Sequence, residues 1–492
     1  MKVIDQPLTV FLIGATGDLA KKKILKALYK LHSDRLLPQQ FLLIGNSRKE
    51  LTQLEFQTWA CDTIKPENSD DWSRFALTLR YISGDTSDLA TIERLKEFHS
   101  ALSACGNHLW YLATLPSLYT KIVQNIEAAG FHKTTCGWTK IMLEKPFGVD
   151  VRSARELNQL LTAVFQEEQI YRIDHFLAKE TVQNLLVFRF ANGLFENLWN
   201  KKYIDHVQIT AGETLGIEGR EIFYDQTGTI RDVVQNHIIQ MLATTLMEEP
   251  KSLSADDIRI RREELITTLQ PFTPENIAQN VRFGQYSEGS IEGAPVVSYL
   301  KEKNIPENSQ NETAVALRTY VKNERWEGVP IYILAGKRLE RSVTEISIRF
   351  KEPMNQMFLE SDLKQSGNTL TLRIQPNEGV VIRLNVKEPG LHLQLQEVPM
   401  QFCYKSEFEM DLVEAYVKLI YDAVQGDPTL FPQASSIEAS WNFVQPLLEY
   451  KARPEFTVEH YAAGTWGPAS FQELIAEDKR AWIRPSIEVC NI

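Results

Sequence analysis

The stretch Leu8–Ala20 reads LTVFLIGATGDLA. Leu8–Ile13 is a short apolar run rich in β-branched side chains, the pattern of a strand buried on both faces. Gly14–Gly17 follows as a turn. From Asp18 the period becomes helical: Leu19, Ile24, Leu25, Leu28 and Leu31 recur on one face, with Lys21, Lys22, Lys23, Lys26 and Lys30 between them. In such a strand–turn–helix, Gly14 allows the sharp turn, Gly17 lets a pyrophosphate approach the backbone, and small Ala20 permits close packing of helix on strand. Free N–H groups at the helix start then face the phosphates. The glycine spacing is GxxG with alanine three residues on, a variant of the dinucleotide fingerprint; an ordinary βα turn is the competing reading. Lysines in a helix's first turn oppose its dipole. An anionic ligand offsets that, and a solvated lysine face is the alternative.

Phe41–Ile44 (FLLI) reads as a second buried strand, Arg80–Ser83 as a third and Leu109–Ala113 (LWYLA) as a fourth. Ile141–Leu143 leads into EKPFG at 144–148. Strands alternating with helices predict a parallel sheet wound with helices. The second strand ends in GNSR (45–48). An NAD site usually has an acid here for the ribose 2′-hydroxyl. Ser47 and Arg48 stand in its place. Arg48 suits a 2′-phosphate, which favours NADP; a surface arginine is the competing reading.

From about residue 170 the texture changes. Leu185–Phe190 and His206–Thr210 look like strands, and Asp232–Leu246 like one long helix. TEISIRF (344–350), TLTLRI (369–374), VVIRLNV (380–386) and LHLQLQ (391–396) alternate in the manner of an antiparallel sheet with one face covered. Glu409–Gln425 and Ile437–Tyr450 read as helices suited to covering it. The expected fold class is α/β plus α+β. An N-terminal Rossmann dinucleotide-binding domain spans 1–173, and a larger domain with a mainly antiparallel sheet covered by helices spans 174–492.

A length of 492 residues already predicts more than one domain. The net charge of −11 argues against non-specific nucleic-acid binding and against an acidic membrane surface. An anionic ligand must then be drawn in by a local cluster of cations. Cys61, Cys105, Cys136, Cys403 and Cys490 are scattered, odd in number and free of any CxxC. That pattern fits a reducing compartment and speaks against a disulfide framework and a zinc site, so no metal is expected. No secretory leader is evident in MKVIDQPLTVFLIG, and nowhere do 18 apolar residues run together. A cytoplasmic protein is the expectation.

RIDHFLAKE (172–180) mixes ionisable Arg172, Asp174, His175, Lys179 and Glu180 with apolar Ile173, Phe176 and Leu177. A cleft wall gripping a charged ligand uses both kinds. His175 and Lys179 could reach one anion from an extended or turning segment. Among nine histidines, His237 also stands out, within IRDVVQNHIIQM (230–241). Val233, Val234, Ile238 and Met241 form the expected buried stripe, with His237 beside it. A partly desolvated histidine oriented by a carboxylate is tuned as a general base near neutral pH. A satisfied structural histidine is the other reading.

RIDHFLAKE resembles the RIDHYLGKE motif of glucose-6-phosphate dehydrogenases. GATGDLAKKK (14–23), EKPFG (144–148), IRDVVQNH (230–237), AGKRL (335–339) and AGTWGP (463–468) resemble the same family, in its order, over essentially the whole chain. The resemblance implies that His237 is the general base toward the C1 hydroxyl of glucose 6-phosphate, and that Asp174 fixes its tautomer. It implies His175 and Lys179 at the sugar phosphate, with Tyr203 nearby, and Glu213 and Asp232 on sugar hydroxyls. Lys337 would reach the substrate, and Lys23 would lie between cofactor and substrate. Gly14, Ala15, Thr16, Gly17, Asp18, Leu19, Ala20, Lys21, Arg48, Tyr119 and Lys145 would line NADP. A cis peptide before Pro146 and a homodimer or homotetramer are also implied.

Four positions depart from the family pattern. Phe176 stands for a tyrosine and Ala178 for a glycine. Ala335 stands for a threonine, and Ser342 for a basic residue, with Arg341 one position earlier. At Ala178 either the dihedrals are ordinary or the backbone is strained. Two alternatives remain beside the family reading: another NAD(P)-dependent sugar or inositol dehydrogenase, and a non-catalytic dinucleotide-binding regulatory protein.

Overall fold

The computed structural model describes residues 6–102, 106–134, 136–352, 366–408 and 412–485. Two compact units divide the chain. The first comprises Met1–Ala178, Pro250–Ile260 and Val413–Glu438, the second Lys179–Glu249, Arg261–Leu412 and Ala439–Ile492. Both are discontinuous in sequence, which a linear division at 173/174 does not express.

In the first unit, β1 (Leu8–Ile13), β2 (Phe41–Ser47), β3 (Leu79–Ser83), β4 (Asn107–Leu112), β5 (Thr139–Leu143) and β6 (Ile170–Arg172) form one sheet in the order β3-β2-β1-β4-β5-β6. Every pairing is parallel. β1 is central and buried along its whole length, which is why it lacks polar alternation. The strand order reverses between β1 and β4, the place where open α/β sheets bind ligands beyond the carboxyl ends of their strands. Gly14 follows β1 directly, at that point.

After the turn, the helix begins as a π-helical stretch, Ala20–Ile24, and continues as the α-helix Leu25–Ser33, which buries Leu25, Ala27, Leu28 and Leu31. The helix Ala415–Gln425 packs against it, and Lys140 Nζ donates to Ala423 O at 2.7 Å. This corrects the expectation that a helix over 409–425 covers the second sheet. Its amphipathic pattern shows that one face is buried but not against what. Residues 409–411 lie outside the described residues.

The second unit is built on nine strands. They are β7 (Ile204–Gly212), β8 (Val281–Ser287), β11 (Ala314–Thr319), β12 (Ile331–Gly336), β13 (Val343–Phe350), β14 (Thr369–Gln375), β15 (Gly379–Lys387), β16 (Leu395–Cys403) and β17 (Glu459–Ala462). β9 (Gly289–Ile291) and β10 (Ala294–Val296) form a separate hairpin. The sheet order is β16-β15-β14-β13-β7-β12-β11-β8-β17, mainly antiparallel, with parallel pairs β7–β12 and β8–β17. β16 begins at Leu395 rather than 391, because Glu388 N–H bonds Gln394 O at 2.8 Å and closes the intervening residues into a turn.

Leu185–Phe190 is not a strand. It ends the helix Glu180–Phe190, whose buried residues Thr181, Val182, Leu185 and Arg189 recur at helical spacing. A short apolar run cannot distinguish strand from buried helix. Arg189 decides the matter: fully buried, it donates to Thr245 O at 3.0 Å and Met247 O at 2.8 Å. It thereby satisfies carbonyls at the end of the helix Ile239–Leu246.

Cys136 and Cys403 are each disulfide-bonded, while Cys61 is a free thiol. Scattered spacing had argued against disulfides. Spacing reports only local pairs, and a disulfide needs proximity in space rather than in sequence. No described helix is long and apolar enough to cross a membrane.

Candidate active site

The turn after β1 is held from below. Gly14 N–H and Ala15 N–H both donate to Asn46 O at 2.9 Å, and Gly17 N–H donates to Gly14 O at 2.9 Å. Gly14 has φ +85°, and an added Cβ would lie 2.3 Å from Ala113 O, so no other residue fits without a shift. A Cβ at Gly17 would lie 3.2 Å from Gly14 O. Thr16 Oγ1 donates to Ser47 Oγ at 2.9 Å, joining the turn to the end of β2. Asp18, Lys21, Lys22 and Lys23 are exposed around the helix start, whereas Ala15 and Ala20 are buried. Arg48 is exposed beyond β2, with no acid beside it in GNSR. The tight glycine turn, the helix start that follows it and the exposed cation after β2 fit a dinucleotide with a 2′-phosphate.

Arg48→Ala is expected to raise the KM for NADP by about tenfold or more with little change in kcat, because the lost contact is uniform binding. Steady-state rates over a range of NADP check this. An unchanged KM would reduce Arg48 to a surface cation.

Lys145 precedes a cis peptide to Pro146. Beneath it, Glu144 is buried and accepts from Tyr111 OH at 2.6 Å and Tyr416 OH at 3.5 Å. Tyr119 is fully buried. Its hydroxyl donates to Glu144 O at 3.0 Å and accepts from Glu144 N–H at 3.2 Å. Tyr119 therefore supports the EKP turn from within.

Burial pushes the Glu144 carboxyl up to about 7, against the opposing effect of its tyrosine hydrogen bonds. A raised acid favours its protonated form in the fold. Its contribution to stability is complete below the ordinary carboxylate range and is lost as pH rises through about 7. Glu144→Gln keeps an acceptor for Tyr111 and removes the titration. The fall in thermal midpoint between about pH 5 and about pH 8 should be smaller in the variant; an identical fall would mean that Glu144 does not titrate in this window.

The unit boundary falls inside RIDHFLAKE, with Ala178 closing the first unit and Lys179 opening the next segment. Arg172 is fully buried and forms a two-armed pair with Glu167, at 2.7 and 3.2 Å, so it anchors the motif. Asp174 is buried, and its Oδ1 accepts from Phe176 N–H at 3.0 Å. His175 is half-buried and lies parallel to the Tyr416 ring at 6.4 Å. Phe176 is buried beside it, at 5.0 Å. Ala178 is not among the described residues with positive φ, so its dihedrals are ordinary. Lys23 pairs with Glu414 at 2.9 Å. Tyr416 and Glu414 escaped the sequence reading: no local spacing signal connects them to residues so far away along the chain.

In the second unit, Lys179 stands at the N-cap position of the helix Glu180–Phe190 and is half-exposed. Lys337 Nζ donates to Glu213 Oε2 at 2.7 Å, and the ammonium stands 5.3 Å from the centre of the Tyr224 ring. The lysine side chain is 3 % exposed and the glutamate 43 %, so the pair presents its carboxylate outward. Ala335 lies buried in β12. Ser342 Oγ accepts from Thr214 N–H at 2.9 Å, tying down the loop after Glu213. Tyr203 precedes β7 whereas Glu213 follows it. Nine strand residues separate them by about 30 Å, so Tyr203 does not join Glu213 around one sugar.

Ile230–Ile238 is π-helical, not α-helical as expected, and runs on into Ile239–Leu246. Its i→i+5 bonding widens the turn, so residues five apart, such as Asp232 and His237, come closer to one face than the 3.6-residue repeat allows. Both are buried, while Val233, expected in the buried stripe, is half-exposed. No cluster of His, Cys, Asp or Glu suited to a metal occurs among the described residues.

Fold and site together define a Rossmann-type dinucleotide-dependent oxidoreductase. Residues 11–184 match the glucose-6-phosphate dehydrogenase NAD binding domain, and residues 186–483 match the glucose-6-phosphate dehydrogenase C-terminal domain. The chain belongs to the glucose-6-phosphate dehydrogenase family. It is 41 % identical to the glucose-6-phosphate 1-dehydrogenase of Aggregatibacter actinomycetemcomitans over 97 % of each chain. A solved glucose-6-phosphate dehydrogenase in complex with its substrate glucose-6-phosphate has a TM-score of 0.89 at 31 % identity, covering 98 % of this chain and 100 % of its own. The glucose-6-phosphate 1-dehydrogenase structure from Mycobacterium avium gives 0.85 at 34 % identity, covering 98 % and 99 %.

Proposed function

We infer that this chain oxidises D-glucose 6-phosphate at C1 to 6-phospho-D-glucono-1,5-lactone with NADP, the first oxidative step of the pentose phosphate pathway. The observation that carries this reading is the buried π-helical segment Ile230–Ile238 with Asp232 and His237 on it. NADP, when bound, supplies the hydride acceptor. His237 takes the proton of the C1 hydroxyl, since a hydroxyl that keeps its proton is a poor hydride donor. Asp174 is the second catalytic residue we propose, on its motif match. Glu213 and Asp232 are assigned to sugar hydroxyls, and Lys179 and His175 to the phosphate dianion. Lys337 is assigned to the substrate, with its ammonium steadied by Glu213. Lys23 and Lys145 are assigned between the two ligands.

A homodimer is the assembly we propose. It is supported by the exposed Val386 and Met400 on β15 and β16 at one edge of the large sheet; light scattering tests it. The cytoplasm is the proposed compartment, because a sugar phosphate dianion does not cross a bilayer unaided; cell fractionation tests that.

The test of function is the initial rate of reduced-nicotinamide formation from glucose 6-phosphate, with NADP and NAD separately. Turnover that is faster with NADP supports the whole reading. Comparable turnover with NAD removes the specificity assigned to Arg48. No turnover from folded protein overturns the function.

A further inference from the structure

The helix Glu221–Thr229 does not run smoothly into Ile230–Ile238. At Gly228 the backbone leaves helical geometry, with φ 67° and ψ 176°. The segment therefore has a new start, and its first N–H groups need partners from outside. Thr229 makes no side-chain cap; its hydroxyl is bonded to Tyr224 OH at 2.8 Å. Glu312, just before β11, supplies the partners. Its Oε1 accepts from Ile230 N–H at 3.0 Å, and its carbonyl oxygen accepts from Thr229 N–H at 3.3 Å. A carboxylate there also meets the positive end of the helix dipole. Gly228 makes the approach possible: an added Cβ would lie 2.5 Å from Glu312 Oε1 and 2.7 Å from Asn311 Oδ1.

The Glu312 side chain is 0 % exposed. A buried charge needs a partner, and Lys451, the last residue of the helix Ala434–Lys451, forms an ion pair with its Oε2. Lys451 Nζ also donates to Asn311 Oδ1 at 3.4 Å. Asn311 Nδ2 in turn donates to Tyr224 O at 2.8 Å, on the helix before the break. One buried network thus holds both sides of the Gly228 kink.

We propose that Glu312, held by Lys451, is a positioning residue: it sets where the segment Ile230–Ile238 starts and so places Asp232 and His237. A slip of that start would turn every later side chain about the axis, by about 100° per residue in a regular helix. The inference rests on the reading of His237 as the base.

Two neutral double variants differ only in the acceptor offered to Ile230 N–H. Glu312→Gln with Lys451→Met retains an oxygen, and Glu312→Leu with Lys451→Met does not. The first should keep kcat within about threefold of wild type. The second, folded, should lose about 10- to 100-fold in kcat with the KM for NADP unchanged, and amide exchange in the peptide 229–238 should quicken. The proposal is overturned if the leucine variant folds and keeps wild-type kcat, or if both variants lose kcat equally. Should the leucine variant not fold, amide exchange of 229–238 in the glutamine variant decides. Wild-type protection supports the cap, and lost protection with unchanged kcat overturns it. Amide exchange is read without turnover, so failure of the wild type to oxidise glucose 6-phosphate would strike the functional reading while leaving the cap to be judged by exchange.

Discussion

His237→Asn lowers kcat for glucose 6-phosphate oxidation by about 10²- to 10⁴-fold while the protein stays folded. Asparagine is similar in size and polar, so it suits a site that is 3 % exposed, but it cannot accept a proton near neutral pH. The expected loss corresponds to about 3–5 kcal/mol of barrier. The residues we assign to NADP, Gly14–Lys21 and Arg48, belong to the other compact unit, so the KM for NADP should be nearly unchanged. Circular dichroism establishes folding, and the rate of reduced-nicotinamide absorbance measures kcat. A variant retaining kcat within about threefold of wild type would remove His237 from the chemistry and leave the base unassigned.

Gly14→Ala should abolish measurable NADP binding or destabilise the first unit outright. Two costs combine. The φ of +85° disfavours any side chain, by about 1–3 kcal/mol. The Cβ also meets the backbone oxygen Ala113 O at 2.3 Å, and backbone cannot swing aside as a flexible side chain can. Relief requires the turn to move, and with it the amides bonded to Asn46 O. Gly219→Ala is the matched control: its φ is +79°, but nothing lies within 4 Å of the added carbon. NADP should raise the thermal midpoint of wild type and of the control, but not of Gly14→Ala. Equal stabilisation in all three would show that the turn tolerates a side chain and does not bind phosphate as described.

The strand–turn–helix around Gly14 was legible because its signals are local. A buried run, a glycine and a change of period all lie within a few residues, and the physics of each acts over that range. The lack of an acid after β2 and the identity of RIDH and DVVQNH were legible for the same reason. Short apolar runs were legible as buried but not as strand or helix. Glu180–Phe190 became a helix because Arg189 finds the carbonyls of Thr245 and Met247 far along the chain.

By itself, then, the sequence determined the dinucleotide turn, the alternation that winds the first sheet and the residues available for chemistry. Tertiary structure decided where they work. It returned Ala415–Gln425 to the first unit, bringing Tyr416 beside His175 and Glu414 to Lys23. It wound Ile230–Ile238 as a π-helix and capped it with Glu312 and Lys451. Spacing rules span one or two helical turns, whereas these contacts join residues tens to hundreds of positions apart. Such pairings leave no periodic trace, and only the packed chain brings the partners within hydrogen-bond reach.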